Sequence, residues 1–350
     1  MLRSADEKAE IHVAARDNLA EKNGLKLDFA DKVFNVPFDR SPFSKRNIGA
    51  YRVLKKIIDN GDYDIIHCNT PVGGILARLA AKKHRKNGTR VIYTAHGFHF
   101  YKGAPKKNWI IYYPVEKLFS RCTDVLITIN EEDYAFAKRK FRCRVERIHG
   151  VGVDNRRYFP ADENEIRALR EKLNTGSSAV ICVGELLPNK NQRMIIKAMK
   201  MVAEKVPGAR LFIAGNGPER DNLETLTEQL GLNDTVSMLG YTTNLEEWQR
   251  ACAVSVSCSK REGLGLNIIE SMMSGNPVVA THNRGHNELI DDNKNGFLVN
   301  QDDYITMADR ITEVLTDEEL YRSFSEKCVE TASGYSFDVV KKELREIYYG

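Results

Sequence analysis

A short β-branched apolar run, a turn and a helical stretch follow one another along this chain, and the series breaks off and restarts once. In the first half AEIHVAA, DYDIIHCN, TRVIYTAHG and TDVLITIN read as strands. GGILARLAAKKHRKNG reads as a helix ending at Gly88. The second half repeats the pattern with SSAVICVGEL, ARLFIAGNG, DTVSMLG, CAVSVSCS and NPVVATH, with helical segments such as NQRMIIKAMKMVAEKVPG between them. Strands that alternate with helices imply a parallel sheet covered on both faces. At 350 residues the chain suits two domains, each able to bury its own core. Periodicity lapses at HGVGVDNRRYFP, residues 149 to 160. The expected fold is α/β, with doubly wound domains over residues 1–155 and 156–335 and a closing helix over 336–350.

The opening strand comes only nine residues in, which leaves no room for the strand, glycine loop and helix that usually begin such a domain. MLRSADEK reads as the tail of a helix, and a central strand missing from the sheet would leave unpaired edges. The expectation is a truncated chain or an incomplete first domain.

Composition excludes several classes. Hydrophobic residues at 42% and charged residues at 29% mark a globular chain, and no apolar run nears the roughly 18 to 20 residues of a membrane span. The polar start lacks the apolar core of a secretion signal, so a cytoplasmic protein is expected. Seven scattered cysteines without a CxxC pair argue against disulfides and zinc and read as idle or buried thiols. Charge divides unevenly. Residues 1–158 hold 31 Lys+Arg against 18 Asp+Glu, and the remainder holds 21 against 30. An anionic partner for the first half follows, a membrane surface or a phosphorylated substrate, with ordinary solvated surface as the competing account. No nucleic-acid module is present.

Ligands of doubly wound sheets bind at the carboxyl ends of strands. In the second half these ends read GELLPNKNQ, AGNGPE, SKREGLGLNIIE and THNRGHNELI. Gly263 and Gly265 allow close backbone approach, and a helix starting near Leu266 offers amides and a positive dipole end to a phosphate. Lys190 can bring a point charge to the same diphosphate. Glu270 can accept from a ribose diol, and Glu262 from a sugar hydroxyl. A paired-carboxylate glycosidase would use the same residue types, but the phosphate-seating context disfavours it.

REGLGLNIIESMMSGNPVVAT with its E-x7-E element, GELLPNKNQ, AGNGP and RGHNELI…NGFLV together resemble glycosyltransferase family 4, the retaining GT-B enzymes, most closely those of bacterial capsule and exopolysaccharide synthesis. DYDIIHCNTPVGG and YTAHGFHF carry a weaker resemblance in the first half. The resemblance implies two Rossmann-like domains facing a cleft, with SFDVVKKELREIYY packing back on the first. It implies transfer of a sugar from a nucleotide diphosphate, a UDP-sugar, to a glycan or lipid-linked acceptor, without metal or other cofactor. Glu262 is then the residue at the donor sugar, Lys190 the one at the leaving diphosphate, and His96 the cleft histidine near the reacting carbon. Gly184, Asn191 and Asn267 join the substrate-binding set, Leu264, Gly265 and Leu266 form the phosphate cradle, and Glu270 holds the ribose. Two departures stand out: Glu185 occupies a position where the family carries an arginine, with Arg193 as a substitute charge, and the opening strand is absent. A silent nucleotide-sugar binder and a UDP-sugar epimerase are the alternatives.

Two further stretches bear on an acceptor at the membrane. FHFYKGAPKKNWIIYYP interleaves lysines with aromatics and KRKFRCRVER follows it, a mixture suited to an anionic leaflet. His67 reads as a core group, and GNGP as an ordinary turn.

Overall fold

A computed structural model describes residues 9–16 and 27–350; the helical tail read over residues 1–8 lies outside them. The chain forms two compact units, residues 1–150 with 338–350, and residues 151–337.

The first unit runs β1 (His12–Ala15), β2 (Lys32–Asn35), α1 (Arg46–Asn60), β3 (Ile65–Asn69), α2 (Pro71–Ala80), β4 (Arg90–Ala95), α3 (Lys106–Phe119), β5 (Val125–Thr128), α4 (Glu131–Lys140) and β6 (Arg144–Arg147). β1 and β2 pair in parallel, and β3, β4, β5 and β6 form a second parallel sheet in that order. The helix read as ending at Gly88 stops at Ala80 instead. A separate 3-10 turn, His84–Asn87, follows, and there His84 reaches Asp59 and Arg85 grips Asp124 with two nitrogens. These pairs hold the tighter winding, and Gly88 closes it at φ 107°.

The aromatics of the FHFYKGAPKKNWIIYYP stretch turn inward rather than outward. Phe98 and Phe100 stack at 4.8 Å, and Phe100 meets Trp109, Tyr113 and Phe136 edge-on or tilted. Large rings that find partners leave water. The basic run 138–147 is likewise engaged within the unit: Arg147 pairs with Glu131, Arg144 with Glu146, and Lys138 with the Tyr134 hydroxyl.

The second unit runs α5 (Glu163–Leu173), β7 (Ala179–Val183), α6 (Gln192–Lys205), β8 (Arg210–Ala214), α7 (Arg220–Gln229), β9 (Val236–Gly240), α8 (Leu245–Ala251), β10 (Val254–Ser257), α9 (Leu266–Met273), β11 (Val278–Thr281), α10 (Arg284–Leu289), β12 (Gly296–Val299), α11 (Tyr304–Thr316) and α12 (Glu318–Ser333). Its six parallel strands lie in the order β12-β11-β10-β7-β8-β9. Read from β7 outward, this is the 3-2-1-4-5-6 arrangement of a doubly wound sheet, whose crevice opens where the winding reverses, between the ends of β7 and β10. Val180, Ile181, Leu211, Val254, Val256 and Val279 are wholly buried, as expected of strands covered on both faces.

The last helix, α13 (Phe337–Tyr349), buries Val340, Leu344, Ile347 and Tyr348 along one stripe. Helix ends leave carbonyls unpaired. Here Arg90 donates to the carbonyls of Tyr348 and Ile347 at 2.6 and 2.7 Å. His67 sits beneath, bonded to the Tyr348 hydroxyl at 2.6 Å and to Thr94 Oγ1 at 2.7 Å. Burial, with a smaller contribution from His96, lowers its pKa to about 4, so it is a neutral core group.

Candidate active site

Two loops meet at the reversal point of the second unit. The first leaves β7 through Gly184 and reaches Lys190, whose methylenes pass over Gly184. Asn191 follows in the left-handed region at φ 52°, ψ 39°, opening α6 and bonding Asp302 at 3.0 Å. The second leaves β10 and carries Glu262. Lys190 Nζ lies 2.5 Å from Glu262 Oε1, with only 22% and 15% of the two side chains exposed. The cation and the carboxylate are therefore held face to face, partly out of water, where each is stronger than at an open surface.

Local sequence explains the shape of the second loop. Gly265 has φ 101°, which a side-chain-bearing residue adopts at a cost, and it starts α9 with no side-chain cap. No acid stands in the first turn of α9, so the helix's own first turn does not offset its positive end. Leu264 is buried and anchors the turn, while Leu266 stays 40% exposed. A Cβ on Gly285 would come within 2.8 Å of the Glu262 Cβ, so the glycine of RGHNELI makes room for that carboxylate. His286, buried beside the loop, bonds the Thr281 carbonyl at 2.6 Å and Ser257 Oγ at 3.1 Å; burial lowers its pKa to about 4.

Glu270 lies one turn further along α9. Desolvation raises its pKa to about 7, against the opposing pull of a Tyr158 hydrogen bond and of Arg157. Arg157 is itself paired with Glu246 at 2.8 Å. Asn267, from the same helix, donates to the Val183 carbonyl at 3.0 Å and so ties α9 to the end of β7.

Sequence reading passed over three participants. Tyr158 and Arg157 belong to NRRYFP, which read only as a change-over, and they join Glu270 across a long separation. GNGP supports the first loop directly: Leu186 N donates to the Asn216 carbonyl at 2.9 Å and Glu219 N to the Leu186 carbonyl at 3.1 Å. Arginine-for-Glu185 remains unfilled at that position: Glu185 is exposed, and Arg193 is exposed on the first turn of α6.

In the first unit His96 stands exposed at the end of β4, with Nε2 3.0 Å from Asn69 Oδ1. Surrounding atoms still lower its pKa by desolvation. Among the described residues no three His, Cys, Asp or Glu side chains group as metal ligands. The seven cysteines are free, and burial raises the Cys68 and Cys182 thiols to about 12.

Two family models cover most of the chain, "Glycosyl transferase 4-like" over residues 2–130 and "Glycosyl transferases group 1" over residues 164–330. A Bacillus subtilis protein named as the glycosyltransferase EpsD is 46% identical over 97% of this chain and 88% of its own length. The chain belongs to the GT-B glycosyltransferases of the family 4 type. An Escherichia coli relative, named UDP-Gal:alpha-D-GlcNAc-diphosphoundecaprenol alpha-1,3-galactosyltransferase, is 27% identical over 94% of the transferase and 87% of that protein. Among solved structures, Anabaena HepE in complex with UDP and glucose matches with a TM-score of 0.78 at 21% identity, over 96% of the transferase and 90% of that chain. That last likeness establishes the fold, two Rossmann-like α/β domains.

Proposed function

We propose that this transferase moves a sugar from a UDP-sugar to a hydroxyl of a growing glycan or lipid-linked sugar, with retention at the anomeric carbon. The observation that carries the reading is the Lys190–Glu262 pair beside the uncapped start of α9, at the crevice between β7 and β10. A diphosphate is the anion that fits this place. It takes Lys190 from Glu262, and the α9 amides around Leu264, Gly265 and Leu266 receive its oxygens. Glu262, released, accepts from a donor-sugar hydroxyl. Glu270 accepts from the ribose diol.

In the reaction the bond from the anomeric carbon to phosphate oxygen breaks and a bond to the acceptor oxygen forms on the same face. The acceptor proton passes to the departing phosphate. Lys190 and the helix start stabilise the charge that develops there, without need of a metal. His96, bonded to Asn69 and with its pKa lowered by desolvation, takes the position at the sugar in this reading, a role that the family resemblance supports. Arg193 stands in for the charge that Glu185 does not supply. A lipid-linked acceptor would put the work at the inner face of the cell membrane, in surface-polysaccharide synthesis; the E. coli relative's name, with its diphosphoundecaprenol acceptor, supports the lipid link.

The test is turnover with a panel of UDP-sugars and lipid-linked or oligosaccharide acceptors, with product configuration read by NMR. Lys190→Ala is expected to lower kcat by 100-fold or more, about 3 kcal/mol of transition-state stabilisation. Donor binding without turnover would leave a silent binder, the reading that Glu185 favours; no donor binding would remove the assignment of the site.

A further inference from the structure

Three consecutive residues at the start of α10 lie along the loop that carries Glu262. Arg284 Nε donates to the Glu262 carbonyl at 3.4 Å. Gly285 leaves no space for a side chain, since a Cβ there would stand 2.8 Å from both the Glu262 Cβ and the Leu264 carbonyl oxygen. The His286 ring reaches the turn itself, with its Cδ2 3.8 Å from the point that a Cβ on Gly265 would occupy. Gly265 has no side chain of its own to anchor that turn. The start of α10 is thus a mould for residues 262–265.

The mould is tied to the sheet through His286. Its ring is wholly buried, and both nitrogens are bonded. Nδ1 lies 2.6 Å from the Thr281 carbonyl, and because a carbonyl only accepts, Nδ1 carries the proton. Nε2 is then bare and accepts from the Ser257 hydroxyl at 3.1 Å. Ser257 ends β10 and Thr281 ends the neighbouring β11, so one imidazole spans two strand ends. The Ser259 carbonyl takes further bonds from Thr281 Oγ1 and Asn283 Nδ2, both at 2.8 Å. Burial keeps the ring in the neutral form that this pattern requires. Desolvation lowers its pKa to about 4, while the Thr281 bond and Glu262 pull upward and Lys190 downward. Lys190 and Glu262 are the ion pair of the site, so the ring lies within their field. An apolar side chain of similar volume would fill the same space without the cost of burying two polar nitrogens. What the imidazole adds is a pair of directed bonds at fixed points.

We propose that His286 is a positioning residue for sugar transfer: bonded to Ser257 and Thr281, it fixes the start of α10, which in turn holds Glu262 and the Gly265 turn where the donor needs them. The inference rests on the donor site read above and adds to it a residue that touches no substrate. Its leverage is geometric, since a displacement of about 1 Å in such a loop can cost about 100-fold in rate.

Two measurements on the full chain test it. Hydrogen exchange of the ligand-free protein is expected to run about ten-fold faster at the amides from Arg261 to Leu266 in His286→Leu, with β8 and β9 unchanged. In turnover with a UDP-sugar, His286→Leu should lower kcat about 100-fold and change KM by less than about three-fold, whereas in a Glu262→Ala background the same substitution should cost no more than about three-fold. His286→Asn, whose amide nitrogen can take the place of Nδ1 toward Thr281, should recover about ten-fold of the lost kcat. If His286→Leu does not fold, Ser257→Ala, which removes only the Nε2 partner, takes its place in the same cycle. Wild-type exchange at residues 261–266, or an equal loss of kcat in both backgrounds, overturns the proposal, because the histidine would then support the fold and not the loop. A Glu262→Ala variant with wild-type kcat would instead sink the donor reading, and this proposal with it.

Discussion

Glu270 carries the clearest consequence of burial in the molecule. A carboxyl whose pKa is raised to about 7 is half protonated near neutrality, and only the carboxylate accepts from both hydroxyls of a ribose diol. Donor affinity should therefore fall as pH drops from 8 to 6. Calorimetry with a nucleotide sugar reads this cleanly, because its doubly esterified diphosphate does not titrate in that range. The Tyr158 hydrogen bond favours the charged form, so Tyr158→Phe is expected to move the midpoint to higher pH, and Glu270→Gln to bind weakly and without pH dependence. A Tyr158→Phe profile that overlays wild type would count against the contact.

The same shift predicts stability with a definite sign. The folded protein holds this proton more tightly than an unfolded chain with its carboxyl near 4.5, so stability falls as pH rises from about 4.5 to 7, by about 3 kcal/mol in all. Glu270→Gln removes that cost. In urea denaturation it should be more stable than wild type at pH 8, by an amount on the order of 1–3 kcal/mol, and nearly equal at pH 4.5. A residue that weakens the fold at working pH is one kept for binding.

At the scale of elements, long apolar runs were legible and edges were not. β7, β8, β10 and β11 are buried on both faces and stand out as Val- and Ile-rich runs. KVFN of β2, mostly exposed, and RVER of β6, mostly half-buried, lie at sheet edges and carry the charges that edge strands use against further pairing, so no apolar contrast marks them. In helix α3 the sequence left two readings of its aromatics, an interface or anchors of a solvated face, and the structure adds that the Arg78–Glu116 pair links α2 to α3 across 38 positions while Trp109 packs against Phe100. Arg78→Met should cost about 3–5 kcal/mol by leaving Glu116 buried and unpaired, whereas Arg78→Met/Glu116→Leu/Tyr93→Phe, which removes every polar member, should recover most of that. Chemical denaturation compares them. A triple variant no better than the single would show that packing, and not the stranded charge, governs the loss.

At the scale of the molecule, the strand order governs where chemistry can sit. Lys190 and Glu262 are 72 positions apart, and their neighbourhood was legible because each follows a strand that a doubly wound order makes adjacent. The Tyr158 and Arg157 contacts to Glu270 were not, since nothing in NRRYFP foreshadows a helix so distant in the chain. The order makes a spatial prediction for the whole chain. Hydrogen exchange with and without UDP-sugar should show its greatest slowing at the amides from Val183 to Gln192 and from Ser257 to Glu270, the two segments at the reversal point, because ligand binding stabilises the segments it contacts and suppresses their local opening. The α7–β9 side of the same sheet, where β9 is two strands removed from β7, should change little. Slowing centred on α7 and β9 would mean that the donor enters elsewhere, and Lys190 and Glu262 would then be an ordinary ion pair.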